Sequence, residues 1–425
     1  LSDKNINKID LSKNVKKMHL DYSKKFQQSI NKLKSEGRYR FFNEIERKYG
    51  SHPIASWNHN SFQSDIIVWC SNDYLGMSQN NLVVTTMKNA VEQMGTGSGG
   101  TRNISGNSTA IIELENELAK LHKKEKALVF SSGYVANEST ISTILDILED
   151  AIVFSDEKNH ASIISGIKKS QANKEIFRHN DLNHLEELIN LYPENKPKLI
   201  IFESIYSMDG DYGDIAGIVK IAKKHNAITF LDEVHAVGMY GETGAGVSEK
   251  LKLNDQIDII QGTLGKAFGI MGGYITSTKL ICDTIRSYAS GFIFTTAMPP
   301  ALAKSATTSI KYLKKSNIER TLQQKNTACL RKHLNKSSIP FLDNGSHIVP
   351  VMVNDPIRCN EISHILLNEF GHYIQPINYP TVPEGTERLR ITPGPLHTEK
   401  MISELAVALK YAFEKTKKVD YKKVS

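Results

Sequence analysis

Short apolar, β-branched runs alternate with longer amphipathic segments along most of this chain. The runs predict strands at residues 66–70, 127–131, 151–155, 199–203, 227–232 and 257–262. The segments between them have helical spacing, as at residues 82–94, 111–121, 136–148 and 215–225. Apolar strands that alternate with helices are typical of a mostly parallel sheet buried under helices on both faces, so an α/β fold is predicted.

The same pattern divides the chain into three predicted parts. Residues 1–65 form an N-terminal segment with a helix within residues 20–48, and residues 66–310 form a large domain around the sheet. Residues 301–330 are predicted to be a long helical stretch after Pro299 and Pro300. Residues 311–425 form a small C-terminal α/β domain with strands near 348–353 and 373–377.

The composition is that of an ordinary globular protein. Of the 425 residues, 40% are hydrophobic and 23% are charged. The net charge of +7 is spread over short lysine clusters, which are typical of solvated helix faces rather than of a nucleic-acid surface. No apolar run approaches the roughly 18 residues of a membrane span. We therefore expect neither nucleic acid nor a membrane as a partner.

The cysteines and the N-terminal residues bear on location. The four cysteines are widely spaced, without a CxxC pair or a metal-ligand spacing, so we expect a reducing compartment and no metal site. Residues 1–17 lack the apolar core of a secretory signal, and Met18 is a candidate natural start. A bacterial cytoplasm is the predicted location, and the mitochondrial matrix is the alternative.

Lys266 restricts the chemistry more than any other residue. It lies in the glycine-rich segment 262–269, and the apolar run before it ends in Asp232, which His235 follows three residues later. A lysine amine can form a Schiff base with an aldehyde cofactor, and an aspartate can keep a pyridine nitrogen protonated so that the ring accepts electrons. Asp232, His235 and the glycine-flanked Lys266, in this order along the chain, predict a pyridoxal phosphate site.

Several polar residues follow the predicted strands directly. In open parallel sheets, ligands bind beyond the carboxyl ends of the strands. That rule places Ser155, Glu203, Asp232 and the loop 263–266 on one rim of the sheet. We expect the cofactor site at this rim.

Three further side chains are candidates for contact with the cofactor ring. His160 follows the strand at 151–155 and can stack on a pyridine ring, although a histidine at a strand end is often structural. Ser207 and His235 can hydrogen-bond the ring hydroxyl group. The spacing of His235 and Asp232 allows both to reach one planar cofactor.

Two glycine-containing segments are candidates for binding phosphate or substrate. Residues 95–100 satisfy GxGxxG, but the helical spacing before them contradicts a dinucleotide site, so we expect a substrate loop in which Thr101 and Asn103 make polar contacts. Residues 131–137 lead from a strand into a helix. The unpaired N–H groups of a helix N-terminus bind phosphate, which favours a phosphate cradle, and an ordinary capped turn is the alternative.

A turn-rich loop at residues 379–387 precedes a strand that carries Arg388 and Arg390. These two side chains are predicted to lie on the same side of that strand. A guanidinium group there can bind a carboxylate with two hydrogen bonds. The alternative is a surface ion pair with Glu387 or Glu384.

These residues lie in motifs by which the chain resembles the α-oxoamine synthases, fold-type-I pyridoxal phosphate transferases that join an amino acid to an acyl-CoA. The resemblance covers about residues 21–413. Its motifs are Trp-Cys-Ser-Asn-Asp-Tyr-Leu-Gly-Met at 69–77, Gly-Gly-Thr-Arg-Asn-Ile-Ser-Gly at 99–106, Asn-His-Ala-Ser at 159–162, Asp-Glu-Val-His-Ala-Val-Gly at 232–238, Gly-Thr-Leu-Gly-Lys-Ala-Phe-Gly at 262–269 and Gly-Phe-Ile-Phe-Thr-Thr at 291–296. The fold that it implies is a mostly parallel sheet with helices on both faces, plus a smaller C-terminal α/β domain.

The resemblance implies specific roles at the cofactor. Lys266 binds it covalently and transfers the substrate proton, and Asp232 pairs with the pyridinium nitrogen. Thr295 and Thr296 reach the phosphate from the partner subunit, so a homodimer with shared active sites is implied. Further cofactor contacts are implied for Ser132, Gly133, Tyr134, His160, Ser207, His235 and Thr263.

It also implies roles toward the substrates. Arg390 holds the carboxylate of glycine, with Asn72 beside it. Arg40 binds the distal carboxylate of succinyl-CoA, and Thr101 crowds the amino-acid pocket so that glycine fits and larger residues do not. The other residues expected at the substrates are Asn103, Ile104 and Ser155.

Arg40 and Thr101 favour the branch of this family that condenses glycine with succinyl-CoA to 5-aminolevulinate, the first step of tetrapyrrole and heme synthesis. The near alternatives are glycine C-acetyltransferase and 8-amino-7-oxononanoate synthase. A distant alternative is a non-catalytic subunit of a synthase heterodimer. Such subunits lose the lysine that Lys266 supplies here.

Overall fold

The structure of this chain is a computed structural model that describes residues 21–59 and 62–417. Residues 1–17 and Met18, considered above as an upstream extension and a candidate start, lie outside the described residues. One compact unit ends at Phe42 and a second begins at Asn43. The domain boundaries predicted after residues 65 and 310 stay predictions.

Helices and strands alternate through most of the described chain. The strands are β1 (Glu44–Arg47), β2 (Ile54–His59), β3 (Phe62–Val68), β4 (Lys126–Phe130), β5 (Ile152–Asp156), β6 (Asn173–Phe177), β7 (Lys198–Glu203), β8 (Ile228–Asp232), β9 (Ile259–Thr263), β10 (Gly273–Ser277), β11 (Val349–Met352), β12 (His372–Tyr373), β13 (Pro376–Ile377) and β14 (Arg388–Ile391). The helices are α1 (Tyr22–Ser35), α2 (Asn81–Met94), α3 (Thr109–His122), α4 (Gly133–Ile147), α5 (Ala161–Ser170), α6 (Leu182–Ile189), α7 (Ile215–Lys224), α8 (Val247–Lys250), α9 (Lys279–Tyr288), α10 (Ser290–Ile293), α11 (Pro300–Leu313), α12 (Ile318–Lys336), α13 (Pro356–Phe370) and α14 (Glu399–Lys415).

The N-terminal unit contains the helix predicted within residues 20–48. This helix, α1, begins after Asp21, whose carboxylate accepts a hydrogen bond from the backbone N–H of Lys24 at 3.1 Å. A side-chain acceptor at this position satisfies one of the free N–H groups of the first turn. Lys32 and Lys34 lie in the last turn, where cations are favourable beside the unpaired carbonyl groups.

The central sheet of the second unit has seven strands in the described chain, in the order β4-β10-β9-β8-β7-β5-β6. Strands β9, β8, β7, β5 and β6 pair in parallel, whereas β10 runs antiparallel to both of its neighbours. Parallel neighbours need long crossover connections, which helices such as α5 and α7 provide here. The predicted α/β fold is confirmed.

Apolar residues cover both faces of this sheet. Val153 and Phe154, consecutive on β5, belong to two different apolar clusters, and Ile200 and Ile201 on β7 divide in the same way. Because consecutive residues of a strand point to opposite faces, both faces are buried. Helices α3, α7 and α11 pack on the side of Phe154, and α4, α5 and α9 pack on the other side.

Three details of the strand and helix predictions were wrong. The run at 66–70 is the end of β3, which lies in a separate sheet, β1-β2-β3-β12, because β2 and β3 pair as an antiparallel hairpin. Strands β6 and β10 were missed, since β6 is an edge strand that begins Asn-Lys-Glu and lacks an apolar run. The helical stretch at 301–330 is two helices, α11 and α12, with a break at residues 314–317.

A smaller α/β arrangement follows toward the C-terminus, as predicted. Its sheet has the order β11-β14-β13, and its apolar core includes Val351, Leu389 and Ile402 from strands and α14. Trp69, from a distant part of the chain, is buried in the same core. Its indole N–H donates to His372 Nδ1 at 3.2 Å, which satisfies a polar group inside this core.

The four cysteines are free thiols. Cys329 and His333 lie one turn apart on α12, and their donor atoms lie within 4.8 Å of each other and of a Glu399 oxygen. The spacing of the cysteines alone does not indicate this grouping, because its other two members are a histidine and a glutamate from two helices. No helix of the described residues is both long enough and apolar enough to cross a membrane.

Candidate active site

The carboxyl ends of the parallel strands form the predicted rim. Strands β5, β7, β8 and β9 lie side by side, so their ends share one edge of the sheet. Glu203 and Asp232 are register partners at this edge, and Asp232 pairs in turn with Gln261. Ser155 lies near the end of β5 and is 1% exposed. The sheet therefore places several ionisable groups close together away from solvent.

Lys266 lies in the turn that joins β9 to β10. The turn is closed by hydrogen bonds from Gly269 N to Lys266 O and from Leu264 N to Gly272 O, each 2.9 Å. Burial lowers the pKa of the Lys266 amine to about 8; Arg390 also lowers it, whereas the charge of Asp232 raises it. An amine with this pKa is partly unprotonated near neutral pH and is therefore a competent nucleophile.

Asp232 is held in a buried position at the end of β8. Its Oδ2 atom accepts a hydrogen bond from Asn137 Nδ2 at 2.7 Å, and its Oδ1 atom accepts one from Val234 N at 2.9 Å. Burial raises the pKa of Asp232, and these two hydrogen bonds oppose that rise. Both donors are uncharged amides, so the carboxylate is oriented without being neutralised. A cation such as a pyridinium ion is the natural complement of such a group.

His160 lies at the same edge and begins α5. Its backbone N–H donates to Glu203 Oε1 at 2.6 Å, and its Nδ1 atom lies 2.7 Å from Ser162 Oγ. Burial lowers the pKa of His160. Burial and the neighbouring Asp232 raise the pKa of Glu203 well above its usual range. Burial thus favours the neutral form of both the His160 imidazole and the Glu203 carboxyl group beside Asp232.

The N-terminus of α4 meets the end of β9. Ser132 caps this 15-residue helix by accepting a hydrogen bond from Val135 N at 3.2 Å. Gly133 packs closely against β9, because a Cβ atom added there would lie 3.2 Å from Gln261 Nε2 and 3.4 Å from Thr263 Oγ1. The structure thus brings Ser132, Gly133, Tyr134 and Thr263 together at a helix N-terminus, where free N–H groups and the helix dipole favour a phosphate.

Arg390 is buried and donates hydrogen bonds to polar groups from distant parts of the chain. Its guanidinium group donates to Ser207 O at 2.7 Å, to Tyr74 Oη at 2.8 Å and to Asn72 Oδ1 at 3.3 Å. Tyr74 Oη also lies 2.8 Å from His235 Nδ1. Burial lowers the pKa of His235 well below its usual range, and Lys266 and Arg390 lower it further. The predicted group of Asn72, Ser207, His235 and Arg390 is therefore assembled by the fold.

Arg388 has a different partner from the one considered in the sequence. It and Arg390 lie on the same side of β14, as predicted, since both side chains reach residues 207–209. Arg388 pairs with Asp209 rather than with Glu387 or Glu384, so the surface ion-pair alternative is wrong. Glu387 is itself buried and accepts a hydrogen bond from Gly385 N at 3.2 Å. Arg388 therefore ties strand β14 to Asp209.

The glycine-rich loop at residues 95–105 follows helix α2, which agrees with the rejection of a dinucleotide site. Thr101 Oγ1 donates to Asn103 Oδ1 at 2.6 Å, and Thr101 forms an isolated antiparallel bridge with Thr296. Ile104 is 76% exposed. Arg40 belongs to the N-terminal unit, and its role at succinyl-CoA stays a prediction.

Three residues of this site received no role from the sequence: Tyr74, Asn137 and Glu203. Tyr74 lies within the motif at 69–77, and its hydroxyl joins Asn72, His235 and Arg390. Asn137 lies one helical turn after Ser132 in a segment considered only for phosphate binding. The motif at 69–77 is the signal that could have found Tyr74, whereas Asn137 is one of several polar residues on α4 and its type does not single it out.

These groups fit pyridoxal phosphate. Lys266 supplies an amine with a lowered pKa, and Asp232 supplies a buried carboxylate whose hydrogen-bond donors are neutral. The N-terminus of α4 supplies donors for a phosphate, and Gly133 of this terminus lies beside Thr263. The donor set matches the three chemical features of the cofactor: aldehyde, ring nitrogen and phosphate.

Comparisons with known proteins agree with this chemistry. Residues 64–409 match the family model for aminotransferase class I and II. A 5-aminolevulinate synthase of Rickettsia bellii is 52% identical over 392 residues, covering 92% of this chain and 94% of that protein. One of Paracoccus denitrificans is 53% identical over 393 residues, covering 92% and 96%. A serine palmitoyltransferase structure with pyridoxal phosphate as an internal aldimine is 30% identical, covers 93% of this chain and 99% of its own, and has a TM-score of 0.86.

The matches extend over nearly all of the described residues, and the cofactor of this group of enzymes is pyridoxal phosphate. Lys266, the residue that non-catalytic subunits lack, is present at the rim of the sheet. The chain therefore belongs to the aminotransferase class I and II family and, within it, to the 5-aminolevulinate synthases.

Proposed function

We propose that this chain joins glycine to succinyl-CoA and releases 5-aminolevulinate, CoA and carbon dioxide. One observation carries the proposal: the Lys266 amine, with a pKa of about 8, and the buried Asp232 carboxylate interact electrostatically at one edge of the sheet. The choice of substrates is supported by synthase relatives that are 52% and 53% identical to it.

Pyridoxal phosphate supplies an electron sink for the negative charge that develops on the α carbon of glycine. Lys266 Nζ is the attachment point for the cofactor and the base that accepts the α proton. Its lowered pKa makes the unprotonated amine available near neutral pH. Asp232 keeps the ring nitrogen cationic, and the cluster of Ser132, Gly133, Tyr134 and Thr263 holds the phosphate.

The remaining residues of the rim orient the ring and the amino acid. His160 packs on the ring, and Ser207 and His235 lie at its hydroxyl group. Arg390 binds the glycine carboxylate with Asn72 beside it. The hydrogen bonds of Arg390 to Ser207 O and Tyr74 Oη hold its guanidinium group in place before substrate arrives.

The acyl side of the reaction is assigned to Ser155 on this rim and to four residues outside it. Arg40 binds the distal carboxylate of succinyl-CoA, and Thr101 limits the amino-acid pocket to glycine. The acyl chain contacts Asn103, Ile104 and Ser155. Ser155 accepts a hydrogen bond from Asn159 Nδ2 at 2.8 Å, which fixes the orientation of its hydroxyl group.

Acyl-donor profiling tests the reaction. The cofactor-loaded chain is given glycine or alanine together with succinyl-, acetyl- or pimeloyl-CoA, and free CoA and the aminoketone product are measured. We expect the highest kcat/KM for glycine with succinyl-CoA. A preference for acetyl-CoA would instead indicate glycine C-acetyltransferase, and a preference for alanine with pimeloyl-CoA would indicate 8-amino-7-oxononanoate synthase.

Two substitutions sharpen that experiment. Lys266→Ala should abolish both turnover and the absorbance band expected at about 420 nm. Arg40→Leu should reduce the preference for succinyl-CoA over acetyl-CoA, whereas Arg38→Leu, in the same unit, should not. If the unaltered chain with added cofactor shows neither band nor turnover, the non-catalytic alternative holds.

We further infer a homodimer in which Thr295 and Thr296 serve the phosphate of the partner subunit. Mixing the Lys266→Ala chain with a chain that carries Thr295→Ala and Thr296→Ala tests this. In a mixed dimer, one site would combine an intact lysine with intact threonines, so activity above both parents is expected. Absence of any recovery in verified mixed dimers would show that the threonines act within their own chain.

A cytoplasmic location is also proposed, supported by the bacterial origin of the similar synthases. Fractionation of the source cells, followed by immunodetection of the chain, tests it. Recovery from an organelle matrix would favour the mitochondrial alternative.

A further inference from the structure

We propose that Asn137 and Ser162 are positioning residues that couple the ring of His160 to the carboxylate of Asp232 through one continuous chain of hydrogen bonds. The inference rests on the proposed cofactor site, in which His160 packs on the ring and Asp232 pairs with the ring nitrogen. It explains how the His160 ring and the Asp232 carboxylate, which follow different strands, hold each other in position.

The contacts of this chain are direct and buried. Asn137 Nδ2 donates to Asp232 Oδ2 at 2.7 Å and to Ser162 Oγ at 3.0 Å. Ser162 Oγ lies 2.7 Å from His160 Nδ1. Asn137 and Ser162 are each 1% exposed, so solvent does not compete for these bonds. One amide group therefore uses both of its N–H bonds to join helix α5 to strand β8.

The backbone decides the tautomer of His160. The backbone N–H of Ser162 also points at His160 Nδ1, at 3.2 Å. A backbone N–H cannot reverse its direction, so Nδ1 must be an acceptor, and the proton of the neutral ring lies on Nε2. The Ser162 hydroxyl then donates to Nδ1 and accepts from Asn137. Burial keeps the ring neutral, since it lowers the pKa of His160.

The orientation of the Asn137 amide is fixed in the same manner. If its oxygen and nitrogen exchanged places, the amide oxygen would lie 2.7 Å from a carboxylate oxygen, which is repulsive. The two N–H bonds of Asn137 therefore diverge: one donates to Asp232, and the other donates to the Ser162 hydroxyl, which donates in turn to the imidazole. On this second branch the hydrogen bonds are aligned, so they polarise one another and become stronger.

Loss of the Asn137 amide should change the electronics of the bound cofactor. Without that donor the Asp232 carboxylate is a stronger base, so it withdraws the shared proton from the ring nitrogen. The ring then attracts electrons less, and the band at about 420 nm should persist to higher pH. The titratable groups that face Asp232 or His160 include Lys266 of the β9–β10 turn, Glu203 of β7, His235 after β8 and Tyr134 of α4, and all four remain unchanged in the variants.

The test is a pH titration of the cofactor band in matched variants. Asn137→Ala should move the midpoint upward by at least about half a pH unit, and Ser162→Ala should move it by less in the same direction. Ser162→Thr keeps the hydroxyl group and should titrate like the unaltered chain. Thr140→Val is the control, since Thr140 is fully buried on the same helix and its hydroxyl has no partner among the described residues.

A second measurement does not need the cofactor. In cofactor-free chain labelled with ¹⁵N-histidine, the signal missing from His160→Gln identifies His160, and an Nε2–H tautomer is expected. An Nδ1–H tautomer, or an Asn137→Ala midpoint equal to that of Thr140→Val, would overturn the positioning role. Absence of the band from every protein, the unaltered chain included, would instead overturn the proposed function.

Discussion

The sheet edge that carries Asp232 and the glycine-rich loop at residues 95–105 differ in how completely a single chain builds them. At the edge, Asp232, Glu203 and Asn137 are each at most 2% exposed, and their hydrogen-bond partners lie within the same chain. On the loop, Ile104 is 76% exposed. The part of the proposed cofactor site around Asp232 is therefore buried and held by contacts within one chain, whereas the loop proposed to meet the acyl substrate is open.

The difference follows from what each region has to do. A cofactor site gains from fixed charges in a dry environment, because such charges need no reorganisation when the reaction occurs. A surface that receives a long acyl-CoA must stay accessible. The bridge between Thr101 and Thr296, with Ala297 N donating to Gly100 O at 3.0 Å, ties this loop to the residues proposed to serve a second subunit.

The largest effect is expected from removing the carboxylate of Asp232 at the buried sheet edge. Asp232→Asn keeps the shape of the side chain but not the carboxylate that holds the ring nitrogen cationic. We expect kcat to fall by roughly 10²-fold or more, as for other losses of a fixed charge complementary to the transition state. Steady-state kinetics at saturating glycine measure this. A loss below threefold would show that the edge does not control the electronics of the cofactor.

The lowered pKa of Lys266 predicts how cofactor capture depends on pH. Only the unprotonated amine attacks the aldehyde, so the capture rate of cofactor-free chain should rise with pH to a midpoint near 8. Free lysine, whose pKa is about 10.4, provides the reference reaction. Stopped-flow absorbance follows the reaction. A midpoint above about 10 would mean that burial at the edge does not act on this amine.

A smaller effect is expected on stability. His179 Nδ1 lies 2.9 Å from Asp156 Oδ1 at the end of β5, and Nε2 lies 2.6 Å from Asp211 Oδ2. Burial would lower the pKa of His179, but these two carboxylates raise it to about 9. A pKa raised on folding stabilises the protein fully below pH 6.5, and this contribution is lost as pH rises through 9.

The free energy of unfolding should therefore fall by about 2 kcal/mol more in the unaltered chain than in His179→Gln between pH 6.5 and 9.5. Urea denaturation of cofactor-free protein measures the difference. The titration of Lys266 affects both proteins equally and cancels in the comparison. If the free energy of unfolding changed equally with pH in the two proteins, the contact of His179 with Asp156 and Asp211 would not stabilise the folded chain.

The smallest effect is expected at the open loop. Ile104→Ser should leave the free energy of unfolding within about 0.5 kcal/mol, because an exposed side chain loses little on substitution. The KM for succinyl-CoA should nevertheless rise severalfold. Ile112→Ser, at a position 40% exposed on α3, is the matched control and should leave that KM unchanged. Equal KM values for the two variants would argue against a substrate role for the loop.

The sequence was most informative where the chemistry is local. The Lys266 segment, the Asp232-x-x-His235 spacing and the strand-to-helix turn at Ser132 could be found because each lies within a few residues of an apolar run. The cluster around Arg390 could not be found from spacing alone, because Tyr74 and Arg390 are 316 residues apart in the chain and no spacing rule connects them. Strand β6 was missed because its edge position leaves most of its side chains outside the apolar core.

The partner of Arg388 shows the same limit. Neighbouring acidic residues, Glu384 and Glu387, were the obvious local candidates, but the fold pairs this arginine with Asp209 from a different element. The long-range partners of a charge depend on which side chains are buried together, and burial is a property of the packed chain.

By itself, the sequence determined the α/β class, and it indicated the strand ends that form the rim and the candidates for the nucleophile and its acidic partner. These depend on hydrophobic periodicity and on residue type, which are local properties. Only the tertiary structure decided which neutral groups surround Asp232, how far the pKa of Lys266 falls and that Asn137 joins Asp232 to His160. Desolvation and hydrogen-bond direction depend on atoms brought together from distant parts of the chain.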